Sequence, residues 1–496
     1  MELAVFIIYL IFMLSIGVYF FIKSRGSGEK EYFLGGRKMG PWVSALSAGA
    51  SDMSAWVLMG LPASIYAYGI GQSWIAIGLA IGYALSWIFE APRLRRFSIA
   101  ADDSITLPQY LTNRFKSSSK VLQILCAVIF LVAYTIYAAS SVKACGTLFN
   151  TVIGIDSTIA MYIAAAIIVA YTFMGGFNAV CWTDFFQGLL MLGALLIAPI
   201  FALGMINSNP NHMTVEAITA ANPNYWNFIP DWNTVLSGLA WGLGYFGMPH
   251  IIVRFMSVRS DRDLRKSAKI GISWNVLIIL FSVAAGCIGH MFMGELSDSS
   301  TVFIQMVRYI FPSVISGILL SAILAASMST ADSQLLCASS AFASDVYKPV
   351  IRKNKSTDRE MFWAGRYVVL IIAVIAVLIA SNPNSKSIMD LVENAWGIFG
   401  AAFGPAILLS LFWKRFTFSG AVAGITGGAI TDIVWLIIHG QLSAANPSYN
   451  GIFTLYEILP GFVIGLIIAV IVTLIDKKPS ADVEALFDKA SAGNIE

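Results

Sequence analysis

The chain has 496 residues; 57% are apolar (AVILMFWYC), 12% are charged, and the formal net charge is +3. Soluble domains carry about 25% charged residues, so a chain with about half that share cannot cover a surface that faces water. The composition indicates a polytopic membrane protein and excludes a nucleic-acid-binding, collagen-like or disordered chain.

A membrane span needs about 20 mostly apolar residues. Thirteen segments meet this requirement, at 2–22, 41–61, 72–91, 121–146, 157–174, 185–206, 233–253, 270–293, 312–343, 364–381, 388–412, 418–438 and 452–475. No basic residue precedes the first segment, and Lys23 and Arg25 follow it, so we predict a retained helix rather than a cleaved signal peptide.

Basic residues test this count, because they concentrate in cytoplasmic loops. With thirteen spans, 28 of the 31 Lys and Arg residues fall on one side, in 23–40, 92–120, 254–269, 344–366, 413–417 and the tail after 475. The pattern predicts a multi-pass protein of the plasma (inner) membrane, with its N-terminus outside and its C-terminus in the cytoplasm.

Two predicted spans are rich in helix-breaking and polar residues. The second reads SALSAGASDMSAWVLMGLPA and places Asp52 at its centre, and the seventh reads SGLAWGLGYFGMPHIIVRF and contains Gly247 and Pro249. Such glycines often serve only close helix packing. A carboxylate at the bilayer centre costs about 2.5–3.5 kcal/mol, however, and usually marks an ion path. We therefore predict two discontinuous helices whose freed backbone groups bind a polar solute or ion.

The two broken spans are five spans apart, as an inverted repeat of five plus five helices requires. This spacing divides the chain into an extra N-terminal helix and loop (1–40), a first repeat (41–206), an outer loop with the second repeat (207–412), two additional helices (413–478) and a cytoplasmic tail (479–496).

The ninth span carries a third polar cluster, with Ser329, Thr330, Asp332 and Ser333. Single hydroxyls often bond only to the preceding helical turn. Grouped oxygens without nitrogen or sulfur ligands favour a hard cation such as Na⁺. Asp184 opens the sixth span in CWTDFFQ; it is either a further cation ligand or an acid at a helix N-terminus.

The five cysteines include no CxxC pair, and the four histidines include no HExxH motif. We therefore expect no disulfide framework, no metalloenzyme site and no organic cofactor.

Four runs in the chain carry a family resemblance. ALSAGASDMSAWVLMGLP, GGFNAVCWTDFFQ, WGLGYFGMPHIIVRFM and ILLSAILAASMSTADSQLL resemble the sodium/solute symporter family, and in particular its sodium/proline symporters. The resemblance implies an all-α membrane protein with a leucine-transporter-type inverted repeat. It also implies that inward Na⁺ movement is coupled to the uptake of L-proline by alternating access.

The resemblance also implies site residues. Na⁺ would be held by the carbonyls of Ala50, Met53 and Ala326 and the hydroxyls of Ser329 and Thr330, with Asp52 in support. Asp184, Asp332 and Ser333 correspond to positions that hold an additional Na⁺ in some relatives.

For the solute, the resemblance points to Ser54, Tyr137, Trp241, Tyr245 and Pro249. Aromatic walls suit a pyrrolidine ring. Ala55 belongs to the same pocket and stands where proline symporters typically have glycine, which leaves another amino acid, a betaine or a carboxylic acid as the alternative solute.

Other classes of function fit less well. A channel or a membrane sensor is the alternative to a transporter, and an intramembrane hydrolase has the least support because no nucleophile and base pair is apparent. The expected partners are the solute, Na⁺ and the lipid bilayer, without nucleic acid, and the oligomeric state is left open.

Overall fold

The computed structural model describes residues 1–23, 29–174, 176–382, 384–446 and 449–493. Arg25, Gly175 and the last three residues of the predicted tail lie outside the described residues. Within them the regular secondary structure is helical, apart from one isolated β-bridge between Met39 and Val258. The all-α class is therefore confirmed.

The first half of the chain forms ten α-helices in the described residues. They are α1 Glu2–Lys23, α2 Glu29–Leu34, α3 Pro41–Asp52, α4 Gly60–Tyr68, α5 Ser73–Leu85, α6 Ala91–Ala100, α7 Leu107–Arg114, α8 Val121–Ile153, α9 Ser157–Met174 and α10 Phe177–Gly204. A π-helical turn, Ser86–Glu90, joins α5 to α6.

The second half forms eleven more in the described residues. They are α11 Val215–Ala221, α12 Trp232–Ala240, α13 Pro249–Ser257, α14 Asp261–Met293, α15 Val302–Ile310, α16 Ser313–Ser340, α17 Asp358–Ala380, α18 Ile388–Phe412, α19 Phe418–Ala445, α20 Ile458–Ile475 and α21 Ala481–Ser491. The π-helical segment Ala341–Ile351 extends α16.

Ten helical segments of the described chain are long and apolar enough to cross a membrane. An eleventh candidate is the pair Trp232–Phe246 and Pro249–Ser257, which are bent by 46° at their junction. The other two predicted spans correspond to shorter apolar helices, Ala55–Tyr68 and Ser157–Ala170. The multi-pass architecture is confirmed, and the count of thirteen crossings stays a prediction.

The polar run at the centre of the second predicted span ends a helix. α3 stops at Asp52, because Met53 has a ψ of 61°. The Ser54 hydroxyl then accepts a hydrogen bond from the Trp56 amide and caps a short 3₁₀ turn, Ala55–Val57. Serine side chains compete in this way with the helical backbone pattern.

The seventh predicted span is also interrupted. α12 ends at Ala240 and continues as a 3₁₀ segment, Trp241–Phe246, before Pro249 opens α13. Its glycines also serve close packing: a Cβ on Gly247 would lie 2.3 Å from the Phe399 carbonyl oxygen. These glycines therefore allow close packing between helices and also lie within the interruption.

α16 and α18 occupy the centre of the bundle and are buried along most of their length, whereas α1 is mostly exposed. α3 packs against α10, α14 and α16. The end of α3 consequently lies in the protein interior, against the polar stretch of α16.

The two ends of the bundle are distinguished by ion pairs. At one end, which we call the upper face, Arg308 pairs with Glu2 at 3.3 Å and donates a hydrogen bond to the Thr151 carbonyl. At the opposite end, which we call the lower face, Arg95 pairs with Asp261 at 2.8 Å. The helix α1 begins at the upper face, and α20 ends at the lower face.

Two sequence-based assignments need correction. Asp184 does not open a helix, because α10 begins at Phe177, two turns earlier; the helix N-terminus interpretation is therefore wrong. Arg254 is not a loop residue, because α13 continues to Ser257. Both errors arise because the helices extend beyond the apolar runs that mark them.

Candidate functional site

Asp52 lies where the two interrupted helices meet. The Tyr245 hydroxyl, in the 3₁₀ segment after α12, donates a hydrogen bond of 2.6 Å to Oδ2 of Asp52 at the end of α3. Both side chains are fully buried, and Oδ1 of Asp52 has no hydrogen-bond partner in the described residues. One acceptor position of a buried carboxylate is therefore available to a cation or a donor.

The predicted Na⁺ ligands on α3 and α16 lie together. The Ser329 hydroxyl donates to the Ala50 carbonyl at 2.8 Å and lies 3.2 Å from the Ala326 carbonyl. The neighbouring Thr330 hydroxyl is buried without a partner within the described chain. Carbonyls near a helix end and free hydroxyls are the oxygen ligands that a hard cation takes, so this donor set fits Na⁺. Met53 directly follows Asp52, the last residue of α3.

The end of α3 is braced by His250 and Tyr134, which the sequence did not single out, and by the predicted solute residue Tyr137. His250 Nε2 lies 3.2 Å from the Ser51 carbonyl oxygen, and the Tyr134 hydroxyl accepts a hydrogen bond from the His250 amide at 3.0 Å. The Tyr137 hydroxyl lies 3.5 Å from the Asp52 carbonyl. α8 and α13 thus fix the orientation of the carbonyls at the helix end.

Trp241 is surrounded by aromatic rings. Its ring centroid lies 6.2 Å from that of Trp56, 6.4 Å from Trp396 and 5.1 Å from Tyr456. The Trp396 indole nitrogen donates a 2.8 Å hydrogen bond to the Trp241 carbonyl. Trp56 and Trp396 thus lie beside Trp241, a residue of the predicted aromatic wall, and the role of this wall in solute binding stays a prediction.

The remaining predicted solute residues lie at the two interruptions. Ser54 and Ala55 are buried directly after the end of α3, and Pro249 is buried at the start of α13. Their role in binding stays a prediction.

A cavity of about 780 Å³ leads toward this region from the upper face. Its lining includes Lys143 and Asp298 near the upper face and Met59, Gly60 and Trp241 at depth. Trp241 lines the cavity, whereas Tyr245, four residues further along the chain, and its hydrogen-bond partner Asp52 are not part of the lining. This geometry suits a route by which a solute reaches the aromatic wall.

Asp184 pairs with Arg254 in the protein interior. Arg254 Nη2 lies 3.2 Å from Oδ2 of Asp184 and 2.5 Å from the Ser333 hydroxyl, and its Nε lies 3.1 Å from the Ser47 hydroxyl. Ser47 also donates to Oδ2 of Asp184 at 2.7 Å, and Ser333 is 3.4 Å from Asp332. The structure thus brings together the three residues predicted for an additional cation, and it places a guanidinium among them.

The sequence analysis missed Arg254 because it counted this arginine among cytoplasmic loop charges. The available signal was its spacing from Pro249, because a residue five positions after a proline that starts a helix lies within that helix. The braces Tyr134 and His250 carried no local signal, since their partners lie far away in the chain.

The family model for the "Sodium:solute symporter family" matches residues 32–428. The chain is 43% identical over 486 residues to the "Osmoregulated proline transporter OpuE" of Bacillus subtilis (strain 168), covering 97% of this chain and 96% of that protein. It is 42% identical over 489 residues to the "Sodium/proline symporter" of Staphylococcus aureus (strain JH9), covering 97% and 94%.

Solved structures share the fold. A Na⁺-coupled sialic acid symporter, in a substrate-bound outward-open state, superimposes with a TM-score of 0.75 at 20% identity, over 97% of this chain and 98% of that chain. A nucleobase-cation-symport-1 family transporter in a closed conformation gives a TM-score of 0.55 at 13% identity, over 92% and 98%. At these identities the likeness concerns the fold alone.

Proposed function

The chain belongs to the sodium:solute symporter family, and from this premise we propose that it is a secondary active transporter that couples inward Na⁺ movement to the uptake of L-proline by alternating access. The family consists of transporters, and the chain is not an enzyme. The observation that carries the mechanism is the hydrogen bond between Asp52 and Tyr245, which joins two interrupted helices beneath a cavity that opens at one face.

The Na⁺ site consists of the carbonyls of Ala50, Met53 and Ala326 and the hydroxyls of Ser329 and Thr330. Support comes from the contact that joins α3 to α16 through Ser329 and Ala50. When Na⁺ binds, the Ser329 hydroxyl turns its oxygen toward the ion. The Ala50 carbonyl then loses the hydrogen bond from Ser329 and coordinates the ion instead. The negative charge of Asp52 favours the cation electrostatically without requiring direct contact.

Proline is the solute that the names of two full-length relatives suggest. Trp241 and Tyr245 form the aromatic wall for the pyrrolidine ring, with Ser54, Tyr137 and Pro249 around it. The carboxylate and the secondary ammonium bind to backbone dipoles at the helix interruptions. Ala55 adds a methyl group to this pocket, so another amino acid, a betaine or a carboxylic acid is the alternative solute; a channel or a sensor has less support.

In the membrane, the upper face lies outside the cell and the lower face lies in the cytoplasm, as the basic residues predict. Thirteen crossings follow if the interrupted α3–α4 and α12–α13 segments and α9 each span the bilayer. Ten of the spans then form the leucine-transporter-type five-plus-five repeat of 41–206 and 207–412, with the described outer cavity on the side from which the solute enters.

A single Na⁺ accompanies each solute in this proposal. Asp184, Asp332 and Ser333 are the predicted residues for a second cation, but Arg254 already brings a positive charge into hydrogen-bond contact with Asp184 and Ser333. A second Na⁺ at the same oxygens would face repulsion from the guanidinium at close range.

The test is uptake of labelled proline into proteoliposomes with an imposed inward Na⁺ gradient, compared with a K⁺ gradient. We expect accumulation above the outside concentration only with Na⁺, and competition by unlabelled proline in excess of other amino acids and betaines. Equal competition by all of them would disprove proline as the solute and leave Na⁺ coupling intact. Uptake that never exceeds equilibration would indicate a channel.

A further inference from the structure

Two buried carboxyl groups lie outside the site described above, between the last two membrane helices and α18. Asp432 of α19 is fully buried, and neither of its carboxylate oxygens has a hydrogen-bond partner in the described residues. Glu457, at the N-terminus of α20, is 4% exposed, and its Oε1 is likewise without a partner there.

The two groups face the same glycine. From the position that a Cβ would take on Gly397, Oδ1 of Asp432 is 2.9 Å away and Oε1 of Glu457 is 3.6 Å away. These distances place the two oxygens within about 6.5 Å of each other. Two carboxylates at this separation cannot both remain ionised in a buried site unless a cation accompanies them.

The surroundings supply no ion-paired countercharge for the pair within the described residues, and Lys386 acts on Glu457 only from an exposed position. Five other charged or titratable groups face the pair. They lie just before α18, on α18 and α19, and just before α20, and they are Lys386, Asp390, Glu393, His439 and Tyr456. Lys386 is exposed, and neither Asp432 nor Glu457 forms an ion pair within the described chain. The surplus of acidic groups therefore needs a mobile cation.

We propose that Asp432 and Glu457 form a binding site for one proton, which they share and take up from the outer face. A cavity of about 250 Å³ lined by Glu457, Glu393 and the exposed Lys386 provides the route from that face. The proton is the cation that fits, because two carboxyl oxygens suffice to bind it. Within the described residues, no three His, Cys, Asp or Glu side chains are grouped as a metal site requires.

Binding of this proton is linked to the aromatic wall through Tyr456. The amide of Tyr456, the residue before Glu457, donates to the Ser237 hydroxyl at 3.0 Å, and its hydroxyl donates to the Glu393 carbonyl at 2.8 Å. Its ring lies 5.1 Å from the ring of Trp241. Loss of the proton leaves two negative charges side by side, which pushes α20 away from α18 and α19 and withdraws Tyr456 from Trp241.

The inference rests on the proposed function, so the experiment separates the two. Initial uptake of labelled proline into proteoliposomes is measured at saturating Na⁺ while the external pH is raised from mildly acidic to alkaline. We expect the half-saturating proline concentration to rise by about fivefold or more, the lower end of coupling between two sites. Asp432→Asn and Glu457→Gln, which mimic the protonated form, should remove this dependence and retain tight binding at alkaline pH.

The matched control is Glu295→Gln, in the exposed loop after α14, which should keep the pH profile of the unsubstituted protein. A second titration varies the Na⁺ concentration at fixed pH. If the substituted and unsubstituted proteins differ in their response to Na⁺ but not in their response to pH, the site binds Na⁺ and the proton assignment is wrong. Infrared spectroscopy gives a readout independent of transport: the difference spectrum between the unsubstituted protein and Asp432→Asn should contain the carbonyl band of a protonated carboxyl group.

Three outcomes are distinguishable. If proline uptake is absent at every pH, the proposed function fails. If uptake occurs but both substitutions leave its pH profile unchanged, the proton site fails alone. If the substituted proteins do not fold, the absence of the protonated carboxyl band from the unsubstituted protein overturns the inference.

Discussion

The Tyr245 hydroxyl donates a 2.6 Å hydrogen bond to Asp52, a residue 193 positions earlier in the chain. The contact joins the residue assigned to solute binding with the residue assigned to cation binding. Because Asp52 is fully buried and Tyr245 is its hydrogen-bond donor in the described residues, a change at either residue acts on both. The structure thus offers a physical route for coupling between ion and solute.

Tyr245→Phe should therefore weaken both ligands. The substitution keeps the ring and removes the donor, and an unsatisfied buried acceptor costs about 1–3 kcal/mol. We expect the half-saturating concentrations of Na⁺ and of proline each to rise by about tenfold in titrated uptake. Tyr83→Phe is the control, because the Tyr83 ring packs against Tyr245 but its hydroxyl has no hydrogen-bond partner in the described chain. A rise for proline alone would mean that the hydrogen bond does not link the sites.

Ser329→Ala and Thr330→Ala should each raise the half-saturating Na⁺ concentration, because each removes an oxygen ligand from a dehydrated cation. The effect on proline affinity should be small at saturating Na⁺. Ser321→Ala on the same helix serves as the control, since its hydroxyl donates to the Gly317 carbonyl one turn earlier. If all three substitutions change the Na⁺ dependence alike, α16 does not supply the Na⁺ ligands.

Arg254→Gln should lower stability and change the response to Na⁺. Removing one partner of a buried ion pair costs about 3–5 kcal/mol, because the other charge is left uncompensated. Thermal unfolding in detergent should show this loss, and Arg254→Gln/Asp184→Asn should recover part of it. Na⁺ should also stabilise Arg254→Gln more steeply than the unsubstituted protein, since the ion replaces the lost guanidinium. An unchanged Na⁺ dependence would contradict the view that Arg254 occupies a cation position.

Asp103→Asn should loosen the lower face. Partial burial raises the pKa of Asp103, but the hydrogen bond from Lys30 and the nearby Arg37 outweigh it and hold this pKa below its ordinary value. The ion pairs therefore stabilise the lower face above the ordinary aspartate pKa and lose effect only as the pH falls through the lowered value. At neutral pH, hydrogen exchange in residues 98–104 should be faster in Asp103→Asn. Asp102→Asn, at the exposed neighbour, should exchange like the unsubstituted protein; equal rates in both variants would rule out this role.

Serine, glycine and proline act on their own backbone, so the sequence could locate helix ends, whereas the two broken membrane spans stay a prediction. Asp52 and Pro249 therefore lie at helix ends where we expected them. The sequence could not predict contacts between distant helices. No local pattern indicates that Arg254 pairs with Asp184 or that Tyr134 accepts a hydrogen bond from His250. Helix boundaries were also displaced, since α10 begins at Phe177, two turns before the apolar run that marked it.

The central claim is that Na⁺ and proline bind cooperatively across the contact between Asp52 and Tyr245. Equilibrium binding of labelled proline to the purified protein, titrated with Na⁺ at constant ionic strength, tests it most directly. We predict that Na⁺ tightens proline binding, that proline tightens Na⁺ binding by the same factor, and that Asp52→Asn removes both effects while leaving weak proline binding. Proline affinity that is the same with and without Na⁺ in the unsubstituted protein would contradict the account.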